Sequence, residues 1–350
     1  MDDIKIGNYT IGVNHKPFII AEMSGNHNQS LEKALSIVDA AANAGAHALK
    51  LQTYTADTLT INVSHGEFQI SDKQSLWYGR NLYDLYQEAY TPWEWHEALF
   101  KRAKEKNILI FSTPFDDTAV DFLENLGVPA YKVASFENNH LPLLRKIAQT
   151  EKPVIMSTGI STLADIEIAV KTLRENGCKD LILLKCTSTY PATPENTNIK
   201  TIPHLAELFN CHAGLSDHTH GIGVSIASVA LGCRVIEKHF TLNRAEGGVD
   251  AAFSMEPEEF KMMVEESERA FLALGKVIYG VMEDEKKSLT FKRSIYIVED
   301  MKAGEEFTMN NIRIIRPGLG IAPKYFETML GKRVNSNVNR GTALTFDLLG

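Results

Sequence analysis

A closed α/β barrel of eight parallel strands, each followed by a helix, with a second small module after it, is the fold these residues predict. Three observations carry that prediction. Strand-like apolar runs alternate with helical patterns eight times before residue 275, punctuated by Gly, Pro, Asn or Ser. Each run ends in a polar residue able to reach a ligand, namely Glu22, Gln52, Thr113, Ser135, Ser157, Ser188, His218 and His239, as expected where all strand C-termini meet at one catalytic mouth. Beyond Gly275 the pattern changes to short strands and turns. The layout is therefore a (β/α)8 TIM barrel over 1–275, a charged linker over 276–287 and a small domain over 288–350, since single cores stop growing near ~250–300 residues.

In chain order, the first strand is Phe18–Met23, with a helix at 30–44. Its following turn, Ser24-Gly25-Asn26-His27, is not G-x-G-x-x-G, which argues against the competing doubly wound dinucleotide-binding sheet. Ala48–Tyr54 comes next and leads into an unusually long connection, 55–92, carrying Phe68, Trp77, Tyr78, Tyr83, Tyr86 and Tyr90. A loop this long is either functional or separately packed; a flap on the barrel side and a lid over the mouth are both open. A helix at 94–106 follows. The remaining pairs are Ile108–Pro114 with 117–126, Ala130–Ser135 with 140–150, Val154–Gly159 with 162–176, Leu181–Ser188 with 199–209, His212–His218 with 221–232, and Val235–Thr241 with 257–274. The linker contains Glu283-Asp284-Glu285-Lys286-Lys287. In the small domain Gly304-Glu305-Glu306-Phe307-Thr308-Met309-Asn310 recurs weakly as Gly341-Thr342-Ala343-Leu344-Thr345-Phe346-Asp347, as two similar turns of a pseudo-symmetric fold would.

Composition excludes several classes. A formal charge of −8 with no basic block argues against nucleic acid as a partner, because phosphate-backbone affinity needs clustered Lys and Arg. Cys178, Cys186, Cys211 and Cys233 show no C-x-x-C spacing and sit in or beside apolar runs, which reads as buried, reduced thiols in a cytoplasmic enzyme. The first residues lack the pattern of a secretory signal, and no apolar stretch reaches the ~18 residues a bilayer requires. A soluble protein with no membrane partner is expected.

The chemistry is read from charged groups in strands. Lys50, Lys132 and Lys185 lie in runs that should be apolar, and buried lysines are rare without a negative partner. A substrate anion is the expected one. Thr113, Ser135, Ser157, Thr158, Ser188 and Ser216 bring hydroxyls to the same rim and suit a phosphate or carboxylate, although each alone reads equally as a turn or cap residue. Ser216-Asp217-His218 and Glu237-Lys238-His239 end neighbouring strands about 4.8 Å apart, so His218 and His239 could share one cation; His220 is a rival ligand. Two imidazoles would leave positions for water and substrate. Glu22 could hold a sugar hydroxyl or act as general base, with Glu237 the second choice. Asp250, in the Gly247-Gly248-Val249-Asp250 loop, is either a ligand group or an ordinary loop carboxylate. A Schiff-base aldolase using Lys132 or Lys185 is a rival reading, and a carbohydrate- or ice-binding protein on a barrel scaffold is another.

Taken together, Phe18-Ile19-Ile20-Ala21-Glu22, Asn26-His27, Lys50-Leu51-Gln52, Ser112-Thr113-Pro114-Phe115, Tyr131-Lys132-Val133-Ala134-Ser135, Ser157-Thr158-Gly159, Gly214-Leu215-Ser216-Asp217-His218-Thr219 and Glu237-Lys238-His239-Phe240-Thr241 resemble the sialic acid synthase family over nearly the whole chain. The C-terminal part, with Arg316-Pro317-Gly318-Leu319-Gly320, is similar to that family's antifreeze-like (SAF) domain. Where the sialic and legionaminic acid branches usually carry Ile-Gly-x-Asn-His-x-Gly, this chain has Met23-Ser24-Gly25-Asn26-His27-Asn28-Gln29, which looks like the pseudaminic acid synthase branch. The resemblance implies condensation of phosphoenolpyruvate with 2,4-diacetamido-2,4,6-trideoxy-L-altrose; N-acetylneuraminic or legionaminic acid synthesis from a manno-configured acceptor is the alternative. By the same resemblance Lys50, Thr113, Lys132, Ser135, Ser157, Ser188, Tyr190 and Ser216 would hold phosphoenolpyruvate. Glu22, Gln52, Tyr190 and Asp250 would meet the sugar, and His218 and His239 would bind Mn2+, Mg2+ or Co2+. It also implies a domain-swapped homodimer in which Arg316 reaches a neighbouring active site.

Overall fold

The structure is a computed structural model describing residues 1–350. It divides into two units, Met1–Gly275 and Lys276–Gly350.

In the first unit an antiparallel hairpin of β1 (Ile4–Ile6) and β2 (Tyr9–Ile11) precedes the barrel. It lies outside the predicted elements because three-residue strands are too short to show a period of two. Eight strands then close into a barrel: β3 (Phe18–Glu22), β4 (Ala48–Thr53), β5 (Leu109–Pro114), β6 (Tyr131–Val133), β7 (Val154–Ser157), β8 (Leu181–Cys186), β9 (His212–Asp217) and β10 (Val235–His239). Every neighbouring pair is parallel, and β10 closes on β3. Both faces are buried, one by the barrel interior and one by the helices, so these strands read as nearly continuous apolar runs. Gly214 shows how tightly they pack: a Cβ there would lie 2.2 Å from the Val235 carbonyl oxygen.

The helices Leu31–Asn43, His96–Glu105, Asp117–Leu126, Leu141–Ala148, Leu163–Glu175, Thr201–Phe209, Gly223–Ala230 and Pro257–Leu274 follow the strands in turn. Their starts are chemically marked. The Ser30 hydroxyl accepts from the Lys33 N–H, Asp116 accepts from Thr118 and Ala119, and Thr162 with Asp165 forms a capping box. The predicted helix at 94–106 opens instead with a 3-10 turn, Trp93–Trp95.

Several strands stop sooner than their apolar runs predict. Ser135 and Ser188 stand two residues beyond β6 and β8, and His218 one beyond β9. There the backbone leaves the ladder to turn over the mouth, so these side chains belong to loops rather than strands. The connection 55–92 is not structureless: it holds the helices Ala56–Leu59 and Leu82–Ala89, a 3-10 turn at Gly66–Phe68 and a bridge between Gln69 and Asn81.

In the second unit, β11 (Ser294–Ile297) pairs antiparallel with β12 (Ile312–Ile315) over a core of Ile295, Ile297, Phe307, Ile312 and Leu344. The weak repeat is structural. Gly304 and Gly341 both take left-handed backbone (φ +90° and +93°), and Phe307 and Leu344, three residues on, are both buried. The predicted linker is partly ordered, since Glu283–Phe291 winds as a 3-10 helix.

Candidate active site

Strand alternation decides what enters the barrel. On β3, β4 and β10 the inward residues include Glu22, Lys50, Gln52, Glu237 and His239, and register places Glu22 beside both Lys50 and His239. Of the three predicted lysines, Lys50 and Lys132 converge, but their partners in the chain are carboxylates. Lys50 Nζ lies 2.6 Å from Glu22 and 3.9 Å from Glu237, and Lys132 Nζ lies 3.8 Å from Glu237. Hydroxyls complete the set: Lys50 donates to Thr113 (3.3 Å), Lys132 to Ser157 (2.7 Å), and Ser216 to Glu237 (3.3 Å). Gly159 N–H donates to Ser135 Oγ at 3.0 Å, and a Cβ on Gly159 would sit 2.2 Å from Ser188 Oγ and 2.7 Å from Ser135 Oγ. Glycine is what lets both hydroxyls approach the backbone here.

Burial and charge compete at each group. Burial raises the Glu22 pKa to about 7 despite Lys50. Burial also penalises Glu237, but Lys132 and Lys50 outweigh it and hold this carboxyl below its ordinary value. For Lys50 burial is outweighed by Glu22 and the pKa rises; for Lys132 burial prevails and it falls.

The two histidines are neighbours. Pairing of Glu237 with Ser216 and Lys238 with Asp217 brings His239 level with His218, and their ring centroids are 5.3 Å apart. His218 Nδ1 donates to the Thr187 carbonyl at 2.9 Å, which leaves Nε2 for a ligand. His239 Nδ1 is buried without a hydrogen-bond partner and lies 3.9 Å from Asp250. Burial, then the charges of His218 and Lys50, hold His239 far below its ordinary pKa and therefore neutral. No cluster of three or more His, Cys, Asp or Glu side chains is arranged as a metal site.

Outward alternation gives β9 and β10 a second polar layer. Asp217 and Lys238 pair at 2.8 Å, both buried; Lys238 also donates to the Thr219 carbonyl and Ser225 to Asp217.

Above the charged cluster opens a cavity of about 410 Å³, lined by Gln52, Tyr190, His239 and Asp250 and roofed by Ile70, Trp77 and Tyr86 among others of the 55–92 segment. That segment is therefore a lid over the mouth, not a flap on the side. Trp77 Nε1 donates to the Val249 carbonyl at 3.0 Å, and its ring lies 5.9 Å from that of Tyr190, which in turn is 4.6 Å from His218. A larger groove of about 800 Å³, flanked by Asn8, exposed Lys101 and Lys104, and Gly127, sits where strands begin and is remote from these groups.

Three expectations are corrected. Lys185 is only half-buried and donates to the Cys186 carbonyl and the Thr187 hydroxyl rather than joining the carboxylates, because it alternates with the inward Cys186. Thr158 is committed to the Leu184 carbonyl (3.0 Å). His220 is exposed. Arg316 is an exposed residue of the second unit. The four cysteines are free and buried. Cys186 nonetheless faces the site, its Sγ 3.9 Å from His218 Nδ1.

Sequence reasoning missed Glu137, which lines the cavity, has Oε2 buried without a partner, and is raised by burial to about pKa 7. Its signal was available: a carboxylate two residues past Ser135, in a strand-end loop. It missed Ser24 as well, whose φ of +47° is invisible in a sequence.

The sequence pattern of the NeuB family matches residues 37–279, and that of the SAF domain matches 292–350. The pseudaminic acid synthase of Campylobacter jejuni subsp. jejuni is 44% identical over 97% of this chain and 98% of its own length. An N,N'-diacetyllegionaminic acid synthase of the same organism is 36% identical over 92% and 97%. The crystal structure of the N-acetylneuraminic acid (sialic acid) synthetase of Leptospira borgpetersenii serovar Hardjo-bovis, in complex with citrate, superposes with a TM-score of 0.72 at 34% identity, covering 82% of this chain and 95% of that one. On this similarity, and on the closed parallel barrel beneath it, the chain belongs to the NeuB family and carries a SAF domain after its barrel.

Proposed function

We propose that this enzyme is a pseudaminic acid synthase, condensing phosphoenolpyruvate with 2,4-diacetamido-2,4,6-trideoxy-L-altrose to give pseudaminic acid and phosphate. The observation that carries this reading is full-length similarity to a pseudaminic acid synthase, greater than that to a diacetyllegionaminic acid synthase. The cavity supports it: apolar side chains over a polar floor suit a sugar that carries acetamido and deoxy methyl groups.

Phosphoenolpyruvate lies with its anionic groups toward Lys50, Lys132, Thr113, Ser135, Ser157, Ser188 and Ser216. The sugar lies toward Glu22, Gln52, Tyr190 and Asp250, beneath the lid. His218 and His239 fit a divalent cation, because both imidazoles face one space and a buried His239 nitrogen lacks a partner. When bound, Mn2+, Mg2+ or Co2+ there supplies Lewis-acid polarisation of the sugar aldehyde.

C3 of phosphoenolpyruvate bonds to the aldehyde carbon, and the carbonyl electron pair moves to oxygen, which takes a proton. Positive charge develops at C2, where Glu237, its carboxyl held below its ordinary pKa by Lys132 and Lys50, stabilises it. Water adds at C2 as a carboxylate removes its proton. The C2–O bond to phosphate then breaks with its electrons on phosphate, and the remaining hydroxyl loses its proton to leave the ketone. Glu137 is the base best supported by the geometry, having a free oxygen at the cavity and a pKa near 7. Glu22, engaged by Lys50 and Gln52, serves better to hold those two side chains in place.

The chain further acts as a homodimer, with the SAF domain of one subunit over the barrel of the other and Arg316 reaching that site. Supporting this is an apolar strap in water: Val277, Ile278 and Tyr279 are exposed, the last 95%. A cytoplasmic setting follows from the same reading, and no helix is long and apolar enough to cross a membrane.

The test is phosphate release from phosphoenolpyruvate with three acceptors: the altro-configured diacetamido sugar, its manno-configured counterpart and N-acetylmannosamine. Preference for the first is expected. Preference for either of the others overturns the acceptor assignment, and no release with any of them overturns the reaction.

A further inference from the structure

We propose that Ser24 determines acceptor specificity, by holding Asp250 and Gln52 as one rigid pair of acceptors on the floor of the sugar cavity. The proposal rests on the acceptor reading above. Ser24 is 3% exposed, lines the cavity, and takes left-handed backbone at φ +47°. A residue with a Cβ is strained there and glycine is not. Asn28 and Gln29, in the same loop, also take positive φ (+49° and +54°), so strain is concentrated at this edge of the mouth.

What the strain secures is a hydroxyl. Its proton goes to Asp250 Oδ2, and its oxygen accepts from Gln52 Nε2 at 3.2 Å. The same Gln52 nitrogen donates to Glu22 Oε1 at 2.8 Å. With that nitrogen committed twice, the carbonyl end of Gln52 is the end offered to a ligand, and Asp250 offers its other carboxylate oxygen. Both are acceptors, so the floor reads N–H and O–H donors of the sugar. Trp77 and Tyr86 line the same cavity and suit the methyl of an acetamido group. An acetamide has this pairing of a donor with an adjacent methyl, and a bare hydroxyl lacks the second half.

Without the Ser24 hydroxyl, Asp250 and Gln52 lose their mutual reference and the floor tolerates other donor arrangements. Ser24 is thus a positioning residue, expected to act on acceptor recognition and not on phosphoenolpyruvate. Glycine takes φ +47° freely, so S24G relieves the backbone and offsets part of what the lost hydroxyl costs the fold, whereas S24A keeps the strain.

The test uses the full chain with S24G and S24A and the three acceptors named above. For each variant the measurements are KM for acceptor, KM for phosphoenolpyruvate, kcat and Tm. The expected result is a tenfold or greater rise in KM for the acceptor the wild type prefers, and a tenfold or greater collapse of its kcat/KM advantage over the other two. KM for phosphoenolpyruvate stays within twofold, and the Tm of S24G lies above that of S24A. Selectivity ratios within twofold of wild type in both variants overturn the proposal. So does a parallel loss with all three acceptors, which marks a merely structural role. The ratio is defined against whichever sugar the wild type prefers, so a wrong acceptor assignment shows in the wild type alone and is distinguishable from a failure of Ser24.

Discussion

Replacing Glu137 with Gln isolates the cost of a buried carboxylate at the cavity. Glu137 has a folded pKa of about 7 against an ordinary value of 4.5, with burial as the main cause. The folded state thus binds the proton more tightly than the unfolded chain. Its stabilising contribution is fully present below pH 4.5 and is lost as pH rises through about 7. Glu137→Gln removes the titration while keeping the shape. By linkage the variant should match wild type near pH 4.5 and exceed it by at most about 3 kcal/mol at pH 8. At roughly 2–4 °C per kcal/mol for a domain of this size, partial hydration of the group leaves an expected Tm advantage of about 5 °C. Calorimetry of both proteins from pH 5 to 8.5 reads that gap directly. In parallel, kcat should fall by about 10²–10⁴ if Glu137 takes the proton of water. A Tm gap that does not change with pH would refute the burial argument, and a kcat within twofold of wild type would remove Glu137 from the base role.

Other expectations follow from the same geometry. His239→Ala should abolish tight Mn2+ binding in an EPR titration of EDTA-treated protein, without activity as the readout; unchanged affinity would remove His239 from the ligand set. Trp77→Ala removes the roof's bond to Val249 and should raise KM for the sugar ~10-fold with Tm nearly unchanged, checked by steady-state kinetics. Gly159→Ala drives a methyl into the Ser135 and Ser188 hydroxyls, so KM for phosphoenolpyruvate should rise by about 1–2 kcal/mol in equivalent free energy while KM for sugar stays put. Lys238→Met leaves Asp217 buried and unpaired, which costs about 3–5 kcal/mol, and adding Asp217→Leu should recover most of the lost Tm.

Much of the barrel was legible because each element is locally consistent with the whole. Runs such as Leu181–Leu184 are apolar on both faces, and that is the signature of a strand sandwiched between barrel interior and helices. The rim was legible for a related reason: Lys50, Glu237 and His239 break such runs, and a charge in an apolar run needs an explanation. What stayed hidden depends on alternation and on backbone angles. Lys132 and Lys185 look alike in sequence, and each donates to the carbonyl of the residue after it, yet only Lys132 also reaches Ser157 and Glu237, and only the alternation of each strand decides which lysine does so. Lys238 was overlooked among its neighbours although it is as deeply buried as Lys132. The lid was half legible: its aromatics were conspicuous, but Trp77 is fixed over the mouth by a bond to Val249, 172 residues further along the chain.

One strand pair shows why site and fold are hard to separate. On β9 and β10 and the residue after β9, alternate residues serve opposite faces: Ser216, His218, Glu237 and His239 turn toward the barrel interior, Asp217 and Lys238 toward the helices. Lys238 also donates to the Thr219 carbonyl at 2.6 Å, the residue immediately after His218. The outward ion pair therefore anchors the backbone on both sides of the inward imidazole, and His239 is the next residue along from Lys238. A buried pair of this kind adds little net stability over an apolar substitute of equal volume. Its worth lies in direction, since charge and hydrogen bonds tolerate one arrangement where apolar packing tolerates several. It follows that Lys238→Met with Asp217→Leu should regain stability without regaining full activity, and the difference between the two recoveries measures how far the outer pair aims the histidines.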